Sequence, residues 1–428
     1  MKRAFLAAAL LGAGAALGQT PPPPGFQAGQ NILFWEGTLR GSPRLMGLAG
    51  AYVAIADGAE GITRNPAAAA SRDPRFESDF NIDLGGTMHF LFPGAVAEQD
   101  WDNDGFRDQT PGTASFLGSQ VFYSAATFQY KQFALGIGVD SQNFLSRYPE
   151  DLAQGFADER VYNLNLLHVF ASLAGTFWRD QIQVGLGVET THAFMFYSSQ
   201  SKGSIIPSLE QSLGYHGWGL QVGGLWRPVN QNYRVGMAFK PAVTARSLPL
   251  PAAIGGIIPF QAVSTPARLS FGGTLALGEG GRALNIGGPS GWVDTGEKFE
   301  DGYPIYSVAM TKWLLTTQFD VFFPVTGATT IGAFLRQPDF AAYPAGSKVA
   351  LQIRAGVEKE VISDRLRLRL GSYLEPPMTD TGPVLRPHIC FGGEVYLFPI
   401  GSAKLAAGVA VDFASQYTNM SIAIFLWK

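Results

Sequence analysis

Cysteine and charge are both scarce in this chain. The single cysteine, Cys390, excludes an internal disulfide and with it a small disulfide-stabilised fold. Charged residues make up only 15% of the sequence, well below the roughly 25% of ordinary soluble domains. The formal net charge of -3 gives no basic field that could neutralise phosphates. Nucleic acid is therefore not an expected partner.

Long apolar runs are also missing beyond the first residues. After residue 18 the longest such run, Leu45 to Ala56, ends at Asp57 and is shorter than the roughly 20 residues that a membrane-spanning helix needs. At the N-terminus, Lys2 and Arg3 precede an apolar run and then small residues around Gly18. This pattern predicts a secretory signal peptide over residues 1–18 and an exported protein. An N-terminal membrane anchor is the alternative, for which the apolar run is short.

Recognisable catalytic and cofactor motifs are lacking. The five histidines lie in unrelated segments without metal-ligand spacing: His89, His168, His192, His216 and His388. Ser290, within Gly-Gly-Pro-Ser-Gly, lacks the strand, turn and helix context of a hydrolase nucleophile. We therefore expect no enzymatic activity and no required cofactor.

What the sequence does contain is strict alternation of apolar and polar residues. Val349, Leu351 and Ile353 alternate with Gln352 and Arg354, and the pattern continues to Glu358. A second run alternates leucines with Arg367 and Arg369. This period of two predicts β-strands with one apolar and one polar face. A soluble β-sandwich would alternate too, so the arrangement of the strands must distinguish the two.

Short polar turns and longer loops follow one another along much of the chain, which is typical of transmembrane β-barrels. The short turns include Trp178–Gln181, Val229–Asn232 and Ile362–Arg365. The bilayer core contains no water that could bind the backbone groups of an unpaired strand edge. We therefore expect the first and last strands to pair. Counting candidate segments gives 14 or 16 strands, the two doubtful ones lying near residues 283–293 and 329–335. The sequence thus predicts an all-β transmembrane antiparallel barrel over residues 76–428, monomeric, in the outer membrane of a Gram-negative cell.

Tryptophan and tyrosine near the predicted strand ends suit the two membrane interfaces, where an amphipathic ring is most stable. The residues concerned are Trp178, Trp218, Trp226, Trp313, Tyr396 and Trp427. We expect them to form the aromatic girdles of the barrel.

Residues 19–75 do not alternate. They begin with prolines and contain small residues at Gly47, Gly50 and Ala51, followed by Asn65, Pro66 and Ala67. This stretch resembles the hatch of the outer-membrane long-chain fatty-acid transporter family, which shares Gly-Ala-Tyr, then Ala-Asp, then Asn-Pro-Ala directly before the first barrel strand. The family's following glycine is Ala68 here. A bare helix stop at Asn65-Pro66 is the simpler interpretation.

The resemblance implies a 14-stranded barrel whose lumen is plugged by the N-terminal segment. It also implies capture of an apolar ligand at extracellular loops, movement past the hatch, and sideways exit through an opening in the wall. The same signature is more distantly similar to the outer-membrane shuttle protein of the type IX secretion system.

Two predicted extracellular loops, residues 203–217 and 244–266, are unusually apolar. Exposed apolar patches of this kind usually mark binding sites. We expect a ligand site lined by Ile205, Ile206, Leu209, Leu213, Leu248, Leu250, Ile254, Ile257, Ile258 and Phe260. The alternative is that the two loops fold inward and contact each other.

A separate loop carries acidic residues at the first, third, fifth and ninth positions of an EF-hand-like pattern: Asp100, Asp102, Asp104 and Asp108. Gly105 occupies the sixth position, and Pro111 stands where the final acid belongs. The pattern predicts a Ca²⁺ site, with a solvated acidic turn as the alternative.

Together these features predict a channel for passive uptake of small hydrophobic molecules or lipids, such as long-chain fatty acids or hydrocarbons. A polar lumen face would hold the hatch, and no energy source is implied. The alternative is a non-transporting outer-membrane barrel that binds proteins in secretion.

Overall fold

The computed structural model describes most of the predicted barrel and part of the segment before it. The described residues are 31–34, 41–71, 80–90, 100, 103, 115–117, 121–149, 159–178, 181–200, 208–228, 231–247, 260–277, 285, 293–298, 304–307, 313–331, 344–362, 365–377, 385–400 and 403–427. The predicted signal peptide lies outside them.

Strands dominate the described residues. In chain order they are β1 (Asn31–Leu33), β2 (Phe80–Phe90), β3 (Ser115–Leu117), β4 (Val121–Tyr130), β5 (Phe133–Pro149), β6 (Glu159–Phe177), β7 (Ile182–Gln200), β8 (Ser208–Trp226), β9 (Tyr233–Lys240), β10 (Val243–Arg246), β11 (Ala262–Thr265), β12 (Arg268–Leu277), β13 (Val293–Lys298), β14 (Pro304–Ser307), β15 (Trp313–Phe322), β16 (Ala328–Thr329), β17 (Pro344–Ala345), β18 (Ala350–Ile362), β19 (Leu366–Glu375), β20 (Arg386–Ile400), β21 (Ala403–Ala414) and β22 (Tyr417–Trp427). The helices are short: α1 (Pro43–Gly47), α2 (Gly58–Gly61) and a 3-10 turn at Pro66–Ala70.

Fourteen of the described strands form a closed antiparallel barrel. Around the wall they are β2, β4, β5, β6, β7, β8, β9, β12, β15, β18, β19, β20, β21 and β22. The ring closes because β2 pairs with β22, from Asp83 opposite Trp427 to Phe90 opposite Met420. The prediction of 14 strands is confirmed. Within the described part of the two doubtful segments no wall strand is added, since β13 pairs with β14 in a separate hairpin and β16 pairs with β1 and β17.

The alternation of the sequence decides which side chains face lipid. On β18, Leu351 and Ile353 are exposed on the outside, whereas Gln352 and Arg354 are buried in the lumen. The same parity applies to β8, where Leu220 and Val222 face outward. An apolar outer face with a fully paired backbone is what a bilayer requires.

Most of the predicted girdle residues behave as expected. Trp178 and Trp218 are each 69% exposed, and Trp226 and Trp313 are also exposed. Tyr396 does not belong with them. A register shift between Tyr396 and Phe398 accompanies a half-buried ring that lies over the lumen residue Arg367, at 5.6 Å from its guanidinium carbon. The prediction for Tyr396 is therefore wrong, because Tyr396 keeps the inward parity of Glu394 and the register shift begins only after it.

The two ends of the barrel differ. One end, here called the short-turn end, carries the connections 131–132, 178–181, 227–232, 363–365 and 401–402, together with the longer connection 278–312. The opposite end, the long-loop end, carries 91–120, 150–158, 201–207, 241–267, 323–349, 376–385 and the tight turn 415–416. Long loops are extracellular in barrels of this kind. Within the described residues, no helix has both the length and the apolar character to cross a membrane.

Two of the long connections fold inward rather than remaining loops. β10 pairs with β11, β11 runs parallel to β1, β1 runs parallel to β16, and β16 pairs with β17. We call these five strands the inner sheet. The predicted loop 244–266 therefore contains strand, and the predicted loop 203–217 is strand from Ser208 onward. The alternative, that the two loops fold inward and contact each other, describes this arrangement, since Tyr215 stacks on Phe260. The strands within the two loops were not predicted.

Candidate functional site in the barrel lumen

Residues 41–71 lie inside the barrel, and nearly all of them are buried. α1 contacts β20 and β21, α2 contacts β2 and β4, and the 3-10 turn contacts β6, β7 and β8. The segment therefore touches most of the circumference. It falls within the predicted hatch, and we call it the hatch segment. The outer bounds of the hatch, residues 19 and 75, lie outside the described residues and stay predictions.

Glycines of the wall give the hatch segment its room. A Cβ atom on Gly236 would lie 2.2 Å from the carbonyl oxygen of Val53, and one on Gly185 would lie 2.3 Å from the amide nitrogen of Ala67. A Cβ on Gly223 would lie 2.1 Å from Oδ1 of Asn65. Because any side chain at these positions would collide with hatch backbone or side chain, the wall is shaped to fit this segment.

Arg44 of the hatch segment is the centre of a buried ion-pair network. Its Nε donates to Glu358 on β18 at 2.9 Å, and its Nη1 donates to the hydroxyl of Tyr52 at 3.1 Å. Glu358 also accepts from Arg369 at 2.6 Å, and Arg369 in turn pairs with Glu394. The predicted role of the polar lumen face in holding the plug thus has a definite set of contacts.

A second set of contacts binds the hatch backbone. Arg354 donates to the carbonyl oxygen of Ala49 at 2.9 Å and to Asp320 at 2.8 Å. The Oε1 atom of Gln318 accepts from the amides of both Tyr52 and Val53 at 2.9 Å. Since a buried backbone group without a partner is costly, these wall side chains replace the partners that regular secondary structure would supply.

Glu60 is a buried carboxylate of the hatch segment whose pKa is shifted into the neutral range. Burial raises the pKa of its carboxyl to about 7, and the nearby Arg44 guanidinium opposes this shift. The hydroxyl of Tyr52 donates to its Oε2 at 3.2 Å. Glu60 therefore titrates near neutral pH while it is buried.

The hatch motif forms a capped turn that also binds the wall. Oδ1 of Asn65 accepts from the amide of Ala67 at 3.0 Å, and Pro66 occupies the first position of the 3-10 turn. Nδ2 of Asn65 donates to Val53 at 2.9 Å and to Gly224 on β8 at 3.1 Å. The motif is thus more than a helix stop, because the side-chain amide of Asn65 joins two parts of the hatch segment to each other and to β8.

Above the hatch segment, towards the long-loop end, the inward-facing side chains become apolar. We call this set the apolar cluster. It comprises Ile32, Phe34, Phe144, Leu164, Leu166, Ala193, Met195, Tyr215, Ala245, Phe260, Val263, Ile331 and Tyr417. Tyr215 stacks on Phe260 with ring centroids 4.2 Å apart, and its hydroxyl donates to the Phe260 carbonyl at 2.6 Å. Barrel lumens are commonly polar, so an aromatic lumen section is unusual.

Some of the predicted ligand residues belong to this cluster or to β8, and the others lie outside the described residues. Phe260 is fully buried at its centre, and Leu213 packs against it from β8. Leu209 belongs to β8. Ile205, Ile206, Leu248, Leu250, Ile254, Ile257 and Ile258 lie outside the described residues. The sequence did not point to Tyr215, Phe144 or Phe34, although Tyr215 lies within a predicted apolar loop.

The wall ladder is interrupted beside the apolar cluster. β8 pairs with β9 only from Val222 to Trp226, although β8 continues to Ser208. After Lys240 the chain leaves the wall at Pro241 and enters the inner sheet as β10, which meets β8 again at one residue pair, Arg246 opposite His216. We call the stretch of β8 from residue 208 to residue 221, which has no register partner on β9, the wall break. Tyr215 lies on its inner side.

A small polar cavity separates the hatch segment from the upper wall. It measures about 20 Å³ and is lined by Thr63, Arg64, Tyr123, Asp140, Phe170, Lys240 and Arg268. A single water molecule needs roughly 10–15 Å³ of cavity volume. The cavity therefore has room for water and is too small for an alkyl chain. Passage straight down the lumen would require the hatch segment to move.

The acidic loop is described only at two residues. The carbonyl oxygen of Asp100 accepts from Arg386, its amide donates to Gln416 at 2.8 Å, and Asn103 donates to Pro376 at 3.0 Å. Asp102, Asp104 and Asp108 lie outside the described residues, so the Ca²⁺ site stays a prediction. Among the residues that the structure covers, no three His, Cys, Asp or Glu side chains are placed to hold a metal ion.

These features define an outer-membrane-type 14-stranded antiparallel barrel with a segment of its own chain in the lumen. Known structures share this fold. A FadL homologue from Pseudomonas aeruginosa matches with a TM-score of 0.51 and 12% identity, covering 91% of this chain and 98% of the other. The toluene transporter TbuX of Ralstonia pickettii matches with a TM-score of 0.51 and 14% identity, covering 90% and 96%. No protein-family model and no curated protein matches the sequence.

Proposed function

We propose that this barrel takes up small hydrophobic molecules, long-chain fatty acids or hydrocarbons, across the outer membrane by passive diffusion. The observation that carries the proposal is the apolar cluster at the long-loop end, which lies directly behind the wall break. The shared fold supports it, since the Ralstonia pickettii protein is described as a toluene transporter.

The apolar cluster supplies the affinity. Removing an alkyl or aromatic ligand from water is worth about 0.8 kcal/mol per buried CH₂ group, without any directional contact. Aromatic side chains such as those of Tyr215 and Phe260 can also make edge and face contacts with a flat ligand. A site built in this way selects for apolar surface more than for one particular molecule.

The wall break supplies the exit. Its inner side is covered by β10, whose Val243 and Ala245 approach Gly219 and Gly217 of β8 closely. Only the pair of Arg246 and His216 joins these two strands by register, so β10 can separate from β8 at a small cost in backbone hydrogen bonds. A ligand in the apolar cluster would then reach the lipid without passing the hatch segment.

Proteoliposome uptake of radiolabelled toluene and, separately, radiolabelled palmitate tests the ligand site. Phe260→Ala and Tyr215→Ala should each reduce uptake several-fold, because each removes half of the stacked pair. Phe271→Ala is the matched control, since Phe271 is an exposed aromatic residue on the outer face of β12. Whichever probe responds identifies the ligand class. Equal uptake by all three variants and the wild type would refute the site.

A disulfide across the wall break tests the exit. A Cβ on Gly219 would lie 3.9 Å from the Cβ of Val243, which is within the range for a disulfide. The oxidised Gly219→Cys/Val243→Cys variant should lose most of its uptake, and reduction should restore it. The reduced protein and the single Gly219→Cys variant are the controls. If oxidised and reduced forms transport equally, the exit lies elsewhere.

Extraction of the purified barrel with organic solvent separates transport from the protein-binding alternative. Co-purifying lipid supports a channel. A clean extract together with recovery of a secretion partner would favour the non-transporting barrel.

A further inference from the structure

Two histidines face each other on the outer side of the wall. His192 on β7 and His216 on β8 are direct partners in the strand register. Their Nδ1 atoms are 2.8 Å apart, and their ring centroids are 5.0 Å apart with the rings inclined by 69°. The proposed exit involves the backbone of His216 opposite Arg246, but no step of the proposed uptake uses the two imidazole rings.

Strand parity places both side chains outside the lumen. On β7 the neighbours of the same parity, Leu186 and Val188, are exposed to lipid, and on β8 Trp218 and Leu220 are. The register between the two strands runs without a shift from Ile182 to Tyr197. Because His216 follows Trp218 towards the long-loop end, the pair lies on the headgroup side of an interfacial tryptophan, within reach of aqueous ions.

The hydrogen bonds of the pair fix where the lone pairs point. Nε2 of His192 lies 3.2 Å from Oγ1 of Thr190, and donation of the Nε2 proton to that hydroxyl leaves the Nδ1 lone pair directed at His216. His216 then donates from its own Nδ1. If its proton moves to Nε2, both Nδ1 atoms carry a free lone pair, and the two nitrogens face each other across 2.8 Å.

This arrangement is close to that of two ligands on one metal ion. Metal to imidazole bonds of roughly 2.0–2.1 Å, meeting at 90° to 109°, place the two nitrogens about 2.9–3.4 Å apart. The observed 2.8 Å is close to the short end of this range, and both rings would turn so that their lone pairs meet at an ion beside the line between the two nitrogens. We propose that His192 and His216 form a binding site for a divalent transition-metal ion that prefers imidazole, Cu²⁺ above all, with water completing the coordination.

The surroundings favour an ordered site. Thr190 orients His192 in the manner of the outer partners that metal-binding histidines usually have. The ring of Phe194 stacks on His192 and meets His216 edge-on, which restricts both imidazoles. Arg246 pairs with His216 in register and is exposed, so it is a positive charge that a bound cation must tolerate.

Copper binding to the purified full-length barrel in detergent tests the proposal. Electron paramagnetic resonance should show one Cu²⁺ per chain with nitrogen coupling from two imidazoles. Quenching of tryptophan fluorescence provides a second readout, because Trp218 is on the same face as His216. His192→Ala and His216→Ala should each abolish the two-nitrogen signal, and Thr190→Val should weaken binding about tenfold.

The double variant His192→Ala/His216→Ala is the control for copper bound elsewhere on the chain. Both rings are on the surface, so heat-modifiable gel mobility should confirm that all variants fold. Arg246→Gln should bind Cu²⁺ more tightly than the wild type. A copper signal that is unchanged in the double variant, or absent from the wild type, would overturn the proposal.

Discussion

The lumen contains two regions that hold their contents by different means. The lower region holds the hatch segment through charges and wall glycines, with Arg44, Glu358 and Arg369 at its centre. The upper region is lined by apolar and aromatic side chains such as Tyr215 and Phe260. Directional contacts suit one fixed partner, whereas apolar surface accepts many. Under the proposed function, the lower region holds the chain's own segment and the upper region binds the hydrophobic ligand.

Removing the hatch segment should have the largest effect on this division. Deletion of residues 41–71 would leave the polar lumen side chains facing an unfilled interior. We expect planar bilayer recordings to show a stable conductance to small ions that the full-length barrel lacks. Unchanged conductance would mean that the inner sheet alone closes the lumen. In that case the lower region would have no sealing role.

Arg44→Ala should be the most damaging single substitution in the lower region. It would leave Glu358 buried with one fewer partner, and breaking a buried ion pair typically costs about 3–5 kcal/mol. Urea unfolding of the barrel in detergent would measure the loss. Lys359→Ala is the control, because Lys359 neighbours Glu358 in sequence but is directed outward over Trp313. Equal losses in both variants would contradict a special role for the network.

Two adjacent glycines separate contact with the hatch segment from general strand propensity. Gly223→Ala would place a methyl group 2.1 Å from Asn65, whereas the nearest atom for Gly224→Ala would be 3.7 Å away. Overpacking of this kind costs about 1–3 kcal/mol. We expect Gly223→Ala to destabilise the barrel or to induce ion leakage, and Gly224→Ala to do neither. Identical behaviour would show that the hatch segment does not rest against β8.

The wall strands of the barrel were predictable because each follows the same alternation of apolar and polar residues, with a period of two. Alternation placed Gln352, Arg354 and Glu358 in the lumen and Leu351 and Ile353 in lipid, as the structure has them. Each of these assignments needs only the neighbouring residues. Tyr396 follows the same rule, since it has the inward parity of Glu394; its expected place in a girdle rested only on residue type and position near a strand end.

The apolar cluster was predicted only in part, because it is assembled from distant segments, and its role as a ligand site stays a prediction. Phe260 and Leu213 were found from the apolar composition of their stretches. Phe34 and Phe144 come from two other places in the chain, and Tyr215, two residues from Leu213, was not singled out. The inner sheet joins β1 to β11 and β16 by parallel pairing, which leaves no local periodic signal. Nothing in the sequence near Lys240 marks the wall break except Pro241, which cannot donate to a ladder.

A change of pH should have the smallest effect. It tests whether the charge state of Glu60 affects how firmly the hatch segment is held in the lower region. Glu60 has a pKa raised from 4.5 to about 7 while it is buried. A seated hatch segment therefore binds a proton that a displaced one releases. This stabilisation is complete below pH 4.5 and is lost as the pH rises through 7. Brief openings in bilayer recordings should become more frequent from pH 5 to pH 8, and Glu60→Gln should remove that dependence. A Glu60→Gln barrel that keeps the wild-type pH profile would place the titrating group elsewhere.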